Sequence, residues 1–157
     1  MIQRVQSIFL LLTAIIMIAV VFLPLWQKTS TDGSEYITLS ALELIYMDKG
    51  EISLQKDTFY VALLAGLAAL VAVYSIFQFK NRLRQMQLGA LNSLLMGGAL
   101  GLTYYYTTKA NALLEPSIQG EFLTGFYIIA AALFFNVLAN RFIRRDEKLV
   151  RSADRIR

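Results

Sequence analysis

Lys80-Asn81-Arg82-Leu83-Arg84-Gln85 is a short basic stretch set between two long apolar runs, residues 58–79 and 88–106. Three cations without an acid, flanked by runs long enough to cross a bilayer, read as a cytoplasmic loop under the positive-inside rule. That reading fixes the side of every other segment and predicts a small polytopic membrane protein.

Composition agrees with it. The chain has 157 residues, of which 57% are hydrophobic, and a mean hydropathy of +0.54, too apolar for an ordinary soluble domain. It contains no Cys, which excludes disulfides, iron–sulfur clusters and thiolate metal sites. It contains no His, which removes the commonest general base and metal ligand.

Upstream of the basic stretch, Arg4 precedes an apolar run over residues 8–26 that ends in Pro24-Leu25-Trp26. The run approaches the roughly 20 residues needed to span, and no small-residue cleavage site follows it. It reads as a retained helix, with Trp26 in the interfacial aromatic belt. Residues 28–57 then form an outer cap loop. Asp32, Glu35, Glu43, Asp48, Glu51 and Asp57 outnumber Lys28, Lys49 and Lys56, so the cap is acidic. Tyr36-Ile37-Thr38-Leu39 and Ile52-Ser53-Leu54 have strand composition, with a turn signal at Asp48-Lys49-Gly50. Between them, Ser40 and Glu43 fit a capping box that would open a short helix through Leu44, Ile45 and Tyr46.

Downstream, residues 88–106 end in Tyr104-Tyr105-Tyr106 at the outer interface. A second outer loop carries Pro116, and residues 123–143 form the last run. The segment 144–157 reads as a cytoplasmic helical tail. Arg4, the basic stretch and the cations from Arg141 onward fall on one side, while Lys28, Lys49, Lys56 and Lys109 fall on the other. An odd number of spans would have split the basic segments. The expectation is therefore an all-α membrane protein: a four-transmembrane-helix bundle in the bacterial inner (cytoplasmic) membrane, both termini cytoplasmic, with a small extracytoplasmic cap. The net charge of +4 becomes a topology signal, and no nucleic-acid partner is expected.

Helix packing is expected at the small residues Ala65 and Ala69 and at the G-x-x-x-G of Gly97 and Gly101, within the chain first and between copies second. The apolar runs hold no Asp, Glu, Lys or Arg away from their ends, the usual mark of ion pathways. Asn92 and Asn136 lie deeper than the other amides. An interhelical polar contact of Asn92 with Asn136 or Ser75 is the favoured reading over a ligand site. No phosphate-binding glycine loop, nucleophile elbow or calcium loop is present, so no enzyme activity and no cofactor are expected. In the tail, Leu149, Ala153 and Ile156 form an apolar strip beside Lys148, Arg151 and Arg155. This pattern suits either rest on anionic lipid or docking to a partner.

The opening Met1-Ile2-Gln3-Arg4-Val5-Gln6 and the ending Asp146-Glu147-Lys148-Leu149-Val150-Arg151-Ser152-Ala153-Asp154-Arg155-Ile156-Arg157 together resemble the termini of a family of small bacterial four-helix inner-membrane proteins, domain of unknown function 4293. The resemblance covers the whole chain and implies fold and location; it transfers no activity and no site residues. Two functions of different class follow. One is a non-catalytic accessory or scaffold subunit of a larger membrane assembly, whose partners are the bilayer and a membrane protein or a second copy. The other is a small transport or lipid-handling protein with a pocket between helices near Asn92 and Asn136.

Overall fold

The computed structural model describes residues 2–114 and 118–154, with residues 2–4, 151, 153 and 154 as backbone only. The elements in order are α1 (Ile2–Val20), β1 (Trp26–Thr29), β2 (Glu35–Leu39), β3 (Glu43–Asp48), β4 (Glu51–Asp57), α2 (Phe59–Phe77), α3 (Arg82–Asn111), β5 (Glu121–Phe122) and α4 (Thr124–Asp154).

The all-α expectation is corrected, because residues 26–57 and 121–122 form a five-stranded antiparallel sheet in the order β4-β3-β2-β1-β5. The helix expected from Ser40 is instead a turn into strand β3. Ser40 Oγ does accept from Glu43 N at 3.1 Å, as a cap would. However, Ser40 N donates to the Glu43 carbonyl at 2.9 Å, reversing the chain so that Leu44 pairs with Leu39 and Tyr46 with Ile37. The Glu43 carboxylate, which a capping box would send back to Ser40, accepts from Gln55 Nε2 at 2.6 Å across β3 and β4. The β3–β4 hairpin turns on Lys49 (φ 48°) and Gly50 (φ 86°), two left-handed residues whose twist suits a tight antiparallel connection.

The four-transmembrane count is corrected as well. Among the described residues, two helices are long and apolar enough to cross a membrane: Phe59–Phe77 and Thr124–Val150. In α1, the part described with its side chains, Val5–Val20, is apolar but falls short of that length. In α3 the apolar character is diluted by Asn92, Ser93, Gly97, Gly98, Gly101 and three tyrosines.

The helices neighbour one another in the cycle α1–α2–α3–α4–α1. Phe9 of α1 stacks on Phe142 of α4 with ring centroids 5.7 Å apart, so the start of α1 and the end of α4 lie together. The α2–α3 connection joins them there, since Arg82 pairs with Asp146 at 3.1 Å. This basic connection is shorter than expected: Asn81 caps α3, its side chain accepting from Arg84 N at 3.1 Å, and Arg82 already begins the helix.

The sheet closes the opposite end. Its inward residues Trp26, Ile37, Leu39 and Leu44 join Tyr106 and Ala110 of α3, and Leu114 just beyond it, in one buried core. Trp26 is thus no belt residue: it is 2% exposed, and Gly120 lies so close to its ring that no side chain fits there. Tyr104 and Tyr105 face outward while Tyr106 turns into the core.

Candidate functional site: a polar seam and a basic cleft between two helices

Where α3 and α4 cross, small residues allow close approach and bring amides into contact. Asn136, fully buried, donates to the Gly89 carbonyl at 2.8 Å and to Ser93 Oγ at 2.8 Å. Its Oδ1 accepts from Asn92 Nδ2 at 3.3 Å, and Asn92 is also fully buried. One amide therefore engages backbone, hydroxyl and a second amide, which suits a dry interior where an unpaired polar group is costly.

Ser75 is not part of this seam. It is buried, and its carbonyl accepts from Gln85 Nε2 at 3.0 Å, one helix pair away. Gln85 and Gln6, both buried, belong to the same end of the molecule, and composition alone did not mark either as interior. Neither did it mark Gly89, where an added Cβ would run into the Asn140 amide. A glycine three residues before Asn92, on the same helix face, is the signal that could have found it.

Ala65 and Ala69 are buried and face the neighbouring helices. Gly97 and Gly101 are not at a helix–helix contact: both are exposed, and a Cβ on either meets nothing within 4 Å. Close packing on α3 falls instead at Gly89 and, less tightly, at Gly98, whose Cβ would lie 3.3 Å from Leu64.

Beside the seam, a cleft of about 810 Å³ opens between α3 and α4, lined by Ser93, Asn140, Arg141, Arg144, Arg145 and Lys148 among others. The four cations are exposed and lie on one face of α4. Asp146 is turned away from them: its carboxylate forms an ion pair with Arg82, and its carbonyl accepts from the same guanidinium at 3.0 Å. Of the tail residues singled out for docking, Lys148 lines this cleft. Arg151 belongs to α4 by backbone, while its side chain and Arg155 lie outside the described residues. Among the described residues, no three His, Cys, Asp or Glu side chains gather as a metal-binding set.

At the other end, the sheet presents β4 as an edge, with all seven residues exposed, including Ile52 and Leu54. The Glu35 carboxylate accepts from the Tyr46 hydroxyl at 2.7 Å. That bond, helped by partial burial and the negative charges of Glu35 and Asp48, pushes the phenol up to about 12.

No curated protein matches the chain. The family model described as Domain of unknown function (DUF4293) matches residues 2–156, nearly the entire sequence, and the chain belongs to that family.

Proposed function

We propose that the protein is a non-catalytic accessory or scaffold subunit of a larger assembly in the bacterial inner membrane. The observation that carries this reading is the free edge of the sheet. Strand β4 is seven residues long, exposed throughout, free of proline and bears Ile52 and Leu54 on its surface. Soluble sheets usually blunt such an edge; here Lys56 and a bulge between β3 and β4 do so in part, while Ile52 and Leu54 still suit the addition of an extended segment from another chain. The membrane placement is supported by α2 and α4, which are long and apolar enough to cross. Orientation with the α2–α3 connection and both termini in the cytoplasm is supported by charge. Lys80, Arg82, Arg84, Arg141, Arg144, Arg145 and Lys148 gather at one end, and the acid-rich sheet at the other.

A transport or lipid-handling role with a pocket at Asn92 and Asn136 is less well supported, because both amides are fully buried and Asn136 is committed to Asn92, Gly89 and Ser93. The test is affinity purification of the full chain in mild detergent beside the variant Ile52→Lys/Leu54→Lys. A defined membrane complex at constant stoichiometry with the natural chain, and its loss with the variant, is the expected result. Emergence of both chains alone overturns the reading. Reporter fusions after Gln55 and Gln85 check orientation, which fails if Gln55 reports cytoplasm or Gln85 reports periplasm.

A further inference from the structure

The cleft between α3 and α4 has a chemistry that the scaffold reading does not use. Asn140, Arg141, Arg144, Arg145 and Lys148 follow one another at helical spacing, so a single face of α4 carries four cations into the cleft. No acid lines it. The two carboxylates adjacent in sequence are directed elsewhere: Asp146 is held by Arg82, and Glu147 lines a separate cleft with Arg82. On the α3 side the floor is Ala90 and Ser93, short side chains that keep the cleft open. Three guanidinium groups and an ammonium lining one cleft with a hydroxyl and an amide suit a phosphate better than a carboxylate. Guanidinium forks match its oxygens in pairs, and the charge exceeds what one carboxylate needs.

A second observation identifies the source of that phosphate. Four and eight residues above Ser93 on the same face of α3, Gly97 and Gly101 are exposed, with open space where a Cβ would stand. On α4, Val137 lines the cleft itself and Phe134, one turn before it on the same face, stands beside it; they are 52% and 61% exposed. The basic cleft is therefore bordered by exposed apolar surface on α4 and by open space over the small residues of α3. A free phosphate has no use for such a border, whereas an acyl chain does.

We infer that this cleft and its border form a binding site for an anionic glycerophospholipid, with the headgroup phosphate among Arg141, Arg144, Arg145 and Lys148 and an acyl chain along Gly97 and Gly101. The inference rests on the membrane placement proposed above, and resistance of the chain to alkaline carbonate extraction reads that placement separately, so either can fail alone.

The test is titration of the purified full chain in mild detergent with phosphatidylglycerol, phosphatidylcholine or inorganic phosphate, following lipid-bound protein by native mass spectrometry. Saturable binding of phosphatidylglycerol, with little of phosphatidylcholine, is expected. Arg141→Gln/Arg144→Gln should weaken it about 30-fold, a factor of roughly five for each cation removed. Lys80→Gln/Arg84→Gln removes the same charge from the same end but outside the cleft, and should change binding by less than about twofold. Arg145→Gln/Lys148→Gln repeats the test should the first pair impair folding. Equal weakening by cleft and control pairs overturns the site in favour of a diffuse surface potential. Displacement of phosphatidylglycerol by equimolar inorganic phosphate overturns the lipid as its occupant.

Discussion

Lys28 of β1 reaches across to the end of α3, its ammonium donating to the Asn111 carbonyl at 2.8 Å and to the Leu114 carbonyl at 2.6 Å. The side chain is 2% exposed, so a cation counted from sequence as an outer-surface charge is interior. The C-terminal carbonyls of a helix lack intrahelical donors and carry partial negative charge, which is where a buried ammonium is best tolerated. The contact joins sheet and helices through partners more than 80 residues apart. Lys28→Met keeps the packed stem and deletes the donor. It should cost about 1.5–3 kcal/mol, the range for hydrogen bonds to charged groups. Equilibrium unfolding in detergent measures it, with exposed Lys56→Met as the silent control; equal loss from both would deny Lys28 its role.

Glycine positions separate by what lies over them. At Gly125 an added Cβ would sit 2.6 Å from the Pro24 carbonyl oxygen and 2.8 Å from Leu25 Cδ2, and the backbone there cannot step aside. Gly125→Ala should therefore destabilise by about 1–3 kcal/mol, the usual cost of forced overpacking. Gly101→Ala meets open space and replaces a flexible helical residue, so it should be neutral or stabilise by up to about 1 kcal/mol. Gly101→Leu should likewise leave thermal unfolding of the lipid-free protein in place. A marked drop with Gly101→Leu would mean that a second protein surface covers this face.

The Tyr46–Glu35 hydrogen bond gives the sheet a dependence on alkaline pH. The phenol is raised from an ordinary value of 10 to about 12, first by the bond to Glu35, then by desolvation and by nearby negative charge. A raised acid favours the protonated form in the folded state. Its contribution is therefore complete below pH 10 and is lost as pH climbs through about 12. Tyrosinate absorbance should show one of the eight tyrosines titrating late, and Glu35→Gln should bring it forward. A titration unchanged by Glu35→Gln would sink the assignment.

What was legible in the sequence is what depends on composition over many residues. The basic α2–α3 connection, the apolar runs and the acidic character of residues 28–57 all follow from counting. What was hidden depends on partners distant in the chain. Ser40 with Glu43 satisfies the pattern of a helix cap and equally that of a turn between strands. The choice lies with Gln55 and the β4 strand, which take up the side of β3 that a helix would have enclosed. Gly97 and Gly101 look like a packing motif, but α3 carries polar and small residues all round, so no apolar stripe reveals its rotation. The burial of Lys28 could not be foreseen without knowing where α3 ends. Asn92 and Asn136 were findable because depth alone separates them from the other amides.

That pair permits a direct measurement. Asn136 makes three contacts, with Gly89, Ser93 and Asn92, whereas Asn92 makes a single side-chain hydrogen bond, to Asn136 at 3.3 Å. Removing Asn136 leaves the Gly89 carbonyl without this donor and frees Asn92, so Asn136→Ala should cost more than Asn92→Ala. Interhelical hydrogen bonds within membranes contribute about 0.6 kcal/mol on average and up to about 1.7, because the unfolded chain also finds partners. The long Asn92–Asn136 distance places its coupling near the lower figure, and the two short bonds of Asn136 carry the rest. A double-mutant cycle over Asn92→Ala and Asn136→Ala should therefore return a coupling of about 0.6 kcal/mol, with a total for Asn136→Ala of roughly 1.5–3 kcal/mol once its lost packing is included. Equal costs for the two single variants, or a coupling indistinguishable from zero, would show that the two amides are buried side by side without holding α3 to α4.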